Sequence, residues 1–484
     1  MVEYYDISGC YILRPWSFFI WEKISEWFDA QIKQLGVKNA YFPCFVSRDA
    51  LEAEKNHVEG FAPEVAWVTR SGSSQLAEPI AIRPTSETIM YPAFAKWIRS
   101  HRDLPLRLNQ WTNVVRWEFK QPTPFLRTRE FLWQEGHTAH ASGDEAMAMV
   151  LKILDLYAQV YEDLLAVPVV KGEKSQGEKF AGGDTTTTLE AFISENGRGI
   201  QAATSHYLGT NFAKMFDISF EDDDGSRKLV SQSSWGLSTR SLGILAMVHG
   251  DDRGLVLPPR VAPVQVIVVP IPGGRSAARE ALEAACRELE ASLGAQGVRC
   301  EVDARQNYTP GWKYNWWEMK GVPLRVEIGP RDLERGTCRF VRRHNGAKTD
   351  CERAEAVPFA LTELDRIHND MLQAAKAKRD DGIARATSWA EVAPLLKQRK
   401  LILAPWCETE ESEEAIKEAT RNLSSSSGQP SGQPSEATSE GRAALSGAMK
   451  SLCIPLEQPP MEEGARCFFT GLPAKRWALF GRSY

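Results

Sequence analysis

Apolar residues at Ile20, Ile24, Trp27, Phe28, Ile32 and Leu35 recur near every 3.6 positions, which predicts an amphipathic helix over 16–35. Gly36 follows at once, where a helix favours a left-handed residue. The next stretch, AYFPCFV (40–46), reads as a strand, and Pro43 inside it removes a ladder donor, so it belongs at an edge or an interface. With the wide apolar helix face of Trp21, Ile24, Trp27 and Phe28, this predicts that 16–46 packs on a second copy of the chain as a symmetric homodimer. The alternative is that the rest of the same chain covers that face.

From 104 to 141 the pattern is strand-like, broken by KQPTPFLR, whose two prolines mark the loop of a long hairpin. On the return strand Arg127, Arg129, Phe131, Trp133, Glu135 and His137 share one parity and one face. A face of cations, aromatics, a carboxylate and an imidazole is either solvated or the floor of a binding site. A helix is expected over 144–166 and further strands through 180–250, so the sheet should be mostly antiparallel and the class α+β. Prolines in VLPPRVAP (256–263) mark a hinge that closes a first unit, 1–262. Strand, helix and strand patterns then make a small α/β unit over 263–361, and a third unit runs over 362–484. Within it, 424–441 repeats GQPS and is low in complexity, which predicts a disordered loop.

Composition narrows little. The chain has 484 residues, 43% hydrophobic and 25% charged, with a net charge of −5, so no global basicity points to nucleic acid. Nine scattered cysteines without a CxxC pair fit reduced thiols in a cytoplasmic protein. No run reaches the ~20 apolar residues of a membrane span, so no membrane partner is expected. The first residues show no secretory signal and open directly into folded-looking sequence, which suggests an absent upstream segment.

No P-loop, dinucleotide fingerprint or GxSxG elbow is present. Instead, arginines recur in strand-like sequence. Arg116 and Glu118 share a face in NVVRWEFKQ, Arg127 and Arg129 lie on the return strand, and Arg240 sits in WGLSTRSLG. A buried arginine is costly without an anion, and its fork suits phosphate oxygens. Internal Arg–Glu pairing is the rival reading. HTAH with a nearby glutamate could suggest a metal site, but His137 and His140 at i, i+3 on a strand point to opposite faces.

These residues carry a resemblance. The helix–Gly–strand–Pro unit ending at Pro43, the RWE and FLWQE segments, and GLSTR resemble motifs 1, 2 and 3 of class II aminoacyl-tRNA synthetases. RPTSET (83–88), TREFLWQEGHTAHA (128–141), GEKFAGGDTTTTLEAF (177–192) and QAATSHYLGTNF (201–212) are similar to prolyl-tRNA synthetases of the eukaryotic and archaeal type. GWKYNWWEMKGVPLRVEIGPRD (311–332) resembles that family's anticodon-binding domain, and LFGRSY its zinc-binding-like C-terminal domain. The resemblance implies ATP-dependent formation of prolyl-adenylate, then esterification of tRNA(Pro), with ATP and Mg2+ as cofactors and L-proline and tRNA as partners. The family's editing module is not seen and would lie upstream.

By the same resemblance, Arg116 grips the ATP α-phosphate near the proline carboxylate and Glu118 accepts from the adenine amino group. Arg127 and Thr128 would hold the outer phosphates, Gln201 and Thr204 the ribose and phosphates, and Arg240 beside Ser238 the γ-phosphate. Thr85, Glu87, Trp133, His137, Phe180 and His206 match the proline pocket. The family's zinc site uses four thiolates in C-x4-C and C-x-C stretches. Here Cys407 is followed at the partner position by Ser412, and Cys467 by Phe469, which implies that the zinc is lost even if Cys453 contributes. The rival functions are a catalytically silent, synthetase-like proline sensor or tRNA-binding protein, and a hydrolase built on His137 and His140.

Overall fold

The computed structural model describes residues 1–51, 64–118, 121–271, 276–421 and 447–484. The repetitive stretch 424–441 lies outside the described residues.

The N-terminal helix, Pro15–Gln34, starts with proline at its first position and ends at Gly36, whose φ is +75°. Its apolar stripe (Ile20, Trp21, Ile24, Phe28 and Ile32) is buried in the principal core, beneath the sheet and against the helix Gly143–Gln159. Phe28 stacks on Tyr157 with ring centroids 5.0 Å apart, and meets Trp235 at 6.2 Å. The chain itself therefore covers the face that suggested a second copy, and that argument for a dimer falls. The expected strand over 40–46 is also divided. Lys38–Asn39 pairs in parallel with the edge of the large sheet, and Phe45–Ser47 joins a separate three-stranded sheet, with Pro43 in the break.

Eleven strands form one sheet. Its central part is antiparallel, in the order Val169–Glu173, Thr185–Ile193, Arg198–Gly209, Ser231–Ser238, Glu130–His140, Leu106–Val115. The expected hairpin is Leu106–Val115 with Glu130–His140, in register with Gln110 opposite Glu135 and Thr112 opposite Trp133. Gly136 permits this packing, since a Cβ there would lie 2.1 Å from the Trp235 ring. The run after Ser238 is not a strand: Arg240–His249 is a helix. An unbroken apolar stretch such as LGILAMV carries no period of two, so burial decided its state.

Two further bodies complete the chain. A five-stranded sheet over 266–352 places the strand Val266–Pro270 between parallel neighbours Cys300–Val302 and Leu324–Ile328. The helix Ala356–Gly382 runs unbroken through 362, where a boundary was expected. The C-terminal strands Leu401–Trp406, Arg476–Ser483 and Lys450–Pro455 extend the large sheet through Ile454 opposite Glu173, and Arg482 pairs with Arg198. No helix among the described residues is long and apolar enough to cross a membrane.

Candidate active site

On the central sheet, Phe131, Trp133, Glu135 and His137 line a cavity of about 460 Å³ with residues of three neighbouring elements. Pro84, Thr85 and Glu87 close one side. Gln201, Thr204 and His206 rise from the strand Arg198–Gly209, and Ser238 and Arg240 from the strand-to-helix turn. Arg116, Glu118, Glu178 and Phe180 also line it. Twelve of the fourteen expected residues thus meet around one groove: Thr85, Glu87, Arg116, Glu118, Trp133, His137, Phe180, Gln201, Thr204, His206, Ser238 and Arg240.

Two do not. Arg127 borders an adjoining cavity of about 300 Å³, shared with Gln201, Arg240 and the C-terminal Tyr484. Thr128 lines a different cavity, with Tyr11, Phe18 and Phe131, because adjacent residues of extended chain face opposite sides. Arg129, expected on the same face as Phe131, precedes the strand and instead lies 4.6 Å from the Trp117 ring, donating to the Ser8 carbonyl at 3.1 Å.

The arginines of the groove are held by neutral groups. Arg116 donates from Nε to the Pro84 carbonyl at 3.0 Å and lies 5.4 Å from the Trp133 ring centre. Arg240 donates to the Leu126 carbonyl at 3.2 Å and the Gln201 carbonyl at 3.4 Å. Among the described residues neither makes an ion pair with a carboxylate, so internal Arg–Glu pairing does not account for them. Burial lowers the pKa of both, against the pull of Glu118 on Arg116 and of the Tyr161 phenol on Arg240. Two half-buried guanidinium groups without a carboxylate in direct contact form a site for anions.

The opposite end is acidic. Thr85 donates its hydroxyl proton to Glu87. Glu135, absent from the sequence-based assignment although its parity placed it on this face, accepts from Ser86 Oγ at 2.5 Å and Gln110 Nε2 at 3.1 Å. It also meets His137 Nε2 at 3.1 Å, while Tyr91 Oη contacts His137 Nδ1 at 3.0 Å. Burial disfavours the His137 imidazolium, but the Glu135 bond and the Glu87 charge prevail and raise its pKa. His206, whose ring centre lies 4.7 Å from that of Phe180 at a 35° tilt, is pushed down to about 3 by burial and by His137, so it is neutral at physiological pH. His140 bonds Thr138 on the other face of the strand, and it does not share a site with His137.

At the positions expected from the resemblance to ligate zinc, Ser412 Oγ donates to the Thr409 carbonyl at 2.7 Å and accepts from Trp406 Nε1 at 2.8 Å. Cys407 Sγ lies 3.5 Å from Ser412 Oγ, and Phe469 packs edge-on against Trp389 at 4.6 Å. Cys453 belongs to a separate core cluster from Cys407 and Cys467. Two thiols, a committed hydroxyl and an aromatic ring do not fit a tetrahedral zinc site.

Comparison with known proteins agrees with this geometry. Residues 69–249 match the tRNA synthetase class II core domain (G, H, P, S and T), 265–363 an anticodon binding domain, and 389–484 the prolyl-tRNA synthetase C-terminal domain. A cytoplasmic proline–tRNA ligase of Arabidopsis thaliana is 56% identical over all of this chain and 87% of its own length. The chain belongs to the prolyl-tRNA synthetase family. A bifunctional glutamate/proline–tRNA ligase of Drosophila melanogaster is 54% identical, and the chain spans 28% of it. The crystal structure of the prolyl-tRNA synthetase of Cryptosporidium parvum, complexed with halofuginone and AMPPNP, superposes with a TM-score of 0.92 at 56% identity, covering 100% of this chain and 95% of that one. The α+β class II architecture is that of the family.

Proposed function

We propose that the groove holds ATP and L-proline side by side, joins them as prolyl-adenylate, and passes proline to the 3′ end of tRNA(Pro). One observation carries this reading. Two half-buried arginines that make no ion pair with a carboxylate among the described residues and an acidic, aromatic-walled pocket share a single cavity. A carboxylate oxygen of proline attacks the α-phosphorus, and pyrophosphate leaves with the electrons of the broken P–O bond. Such a step needs no protein nucleophile; it needs two anions held in line and their charge neutralised.

Arg116 balances charge at the α-phosphate and the proline carboxylate. Glu118 accepts from the adenine amino group, Gln201 and Thr204 hold the ribose and phosphates, and Arg240, beside Ser238, takes the γ-phosphate. Arg127 reaches the outer phosphates from the adjoining cavity, where Thr128 gives no support. Glu87 and Thr85 receive the cationic secondary amine. Trp133, Phe180, His137 and the neutral His206 wall the ring. Glu178, paired with Lys417 and Lys450, and Glu190, paired with Lys174, border the phosphate end; exchanging these lysines for the ion, they would hold magnesium, which needs only one or two carboxylates beside phosphate oxygens. Bound there, Mg2+ would neutralise charge on the departing pyrophosphate.

The units 1–262, 263–361 and 362–484 then act as catalytic, anticodon-binding and C-terminal domains, joined through the helix Ala356–Gly382. A cytoplasmic location follows the Arabidopsis relative's name, and the C-terminal domain holds no zinc. A homodimer rests on exposed apolar side chains near the catalytic core, with Tyr41 80%, Phe45 52%, Trp67 43% and Trp97 51% exposed. Sedimentation should give twice the 54.1 kDa chain mass at micromolar concentration, and a stable monomer would refute the dimer. The test of function is charging of a tRNA(Pro) transcript with labelled proline. Charging that needs both ATP and proline supports the reading, and transcript left uncharged refutes it.

A further inference from the structure

Arg129 lies outside the groove, where the N-terminal hairpin meets the turn that follows Arg116. That hairpin pairs Val2–Tyr4 with Tyr11–Leu13, Val2 opposite Leu13 and Tyr4 opposite Tyr11. Its base is fixed at the start of the helix Pro15–Gln34, where the Met1 carbonyl accepts from the Arg14 amide at 2.9 Å and from Ser17 Oγ at 2.6 Å. Its tip reaches Arg129. The Gly9 carbonyl accepts the Arg129 amide at 2.8 Å, and the Ser8 carbonyl accepts Arg129 Nη1 at 3.1 Å. Gly9 is buried with φ +85°, and a Cβ there would lie 2.7 Å from Arg129 Cγ. Any other residue is thus disfavoured twice, by backbone and by space.

Two routes carry this hold from Arg129 to the groove. The Arg129 carbonyl accepts the Arg116 amide at 2.7 Å, so one backbone fixes the other. The guanidinium carbon of Arg129 also lies 4.6 Å from the centre of the Trp117 ring. Trp117 is 40% exposed, so the cation over its face is a principal restraint on the indole. Arg116 and Glu118 both line the groove, and Trp117 between them does not. A ring pinned outside the groove sets the turn that carries both of its neighbours.

The bland reading is a surface contact that only adds stability. It accounts for the bond to Ser8, but not for the convergence of hairpin tip, Arg129 and Trp117 on the turn from which Arg116 and Glu118 enter the groove. We infer that Arg129, gripped by the hairpin at Ser8 and Gly9, is a positioning residue that sets Arg116 and Glu118 for ATP. It touches neither substrate and acts through those two residues. A displacement of about 1 Å in such groups is enough to cost on the order of a hundredfold in rate. This deepens the adenylation reading and rests on it.

The test is ATP–pyrophosphate exchange by the full chain, with ATP and proline varied separately. Arg129→Ala should lower kcat/KM for ATP about tenfold or more, the scale of one charge-assisted hydrogen bond. The KM for ATP should rise more than that for proline, since ATP meets both Arg116 and Glu118 and proline only Arg116. Arg129→Lys keeps a cation for Trp117 and a donor for Ser8, and should recover most of the loss. Gly9→Ala, which presses on Arg129 from the hairpin, should give the same ATP-side defect. ATP kinetics within twofold of wild type in folded Arg129→Ala, or in Gly9→Ala where the former does not fold, would overturn the inference. So would equal rises in the two KM values, or an Arg129→Lys variant no better than Arg129→Ala. Equilibrium binding of a non-hydrolysable ATP analogue reads the same positioning without turnover, and Arg129→Ala should weaken it where Arg129→Lys does not. Absence of proline-dependent exchange in the wild type would instead count against adenylation, with the analogue still deciding the role of Arg129.

Discussion

Glu87 and Glu135 lie at the acidic end of the groove, yet only Glu87 was predicted. Glu135 already has three partners (Ser86, Gln110 and His137) and acts by holding the imidazole. Among the described residues Glu87 accepts a hydrogen bond only from the Thr85 hydroxyl, and it is the carboxylate left for an incoming ammonium. Glu87→Ala should therefore cost about 2–4 kcal/mol of proline recognition, as for removal of one partner of a buried charge pair. Exchange kinetics with unchanged proline KM and kcat would contradict it. The parity rule placed Phe131, Trp133, Glu135 and His137 correctly, because a strand's faces alternate whatever surrounds them. It failed at Arg129, which precedes the strand and takes its direction from the loop and from Gly9, whose carbonyl receives the Arg129 amide at 2.8 Å. Glu135 was legible as part of the face, but a partner count that depends on Ser86 and Gln110 is long-range information that spacing does not carry.

Elements show the same division. The N-terminal helix could be read from its period and its glycine, since both signals are local. What covers its apolar face could not: Tyr157 and Trp235 come from more than a hundred residues away. The helix Arg240–His249 was mistaken for strand because an all-apolar run has no period to read. In the C-terminal element around 407–412, by contrast, Ser412 and Phe469 at positions where the family resemblance expects thiolates could be read residue by residue, and the structure shows how they are packed. Trp406, Thr409 and Ser412 form a closed set of hydrogen bonds, and Phe469 packs on Trp389. Metal analysis of protein purified without added zinc should find well under one equivalent per chain. One full equivalent, lost on Cys407→Ala, would disprove the substitution argument.

At the scale of the whole molecule, specific contacts tie the units together. Arg343, 2% exposed in its side chain, makes a bidentate pair with Asp251 at 2.6 and 2.7 Å, joining the anticodon-binding unit to the end of the catalytic one. The Arg343 hydrogen bonds bring the Asp251 pKa down from 3.8 to about 2. A carboxyl depressed on folding stabilises fully above its unfolded pKa and loses that effect as pH falls through the folded value. This tie should therefore weaken between about pH 4 and pH 2. Asp251→Asn should lower stability by about 1–2 kcal/mol at neutral pH, discounted because the carboxylate is 37% exposed. Urea unfolding at pH 7 and pH 3 checks both, and a difference between mutant and wild type that is equal at the two pH values would refute the linkage. The central claim concerns the groove, and proline-dependent ATP–pyrophosphate exchange by the wild type and by Arg116→Ala tests it most directly. The account predicts exchange with proline and far less with alanine, and loss of exchange in a folded Arg116→Ala variant, since that arginine meets charge as it develops. Exchange independent of proline, or a variant that turns over at the wild-type rate, would contradict it.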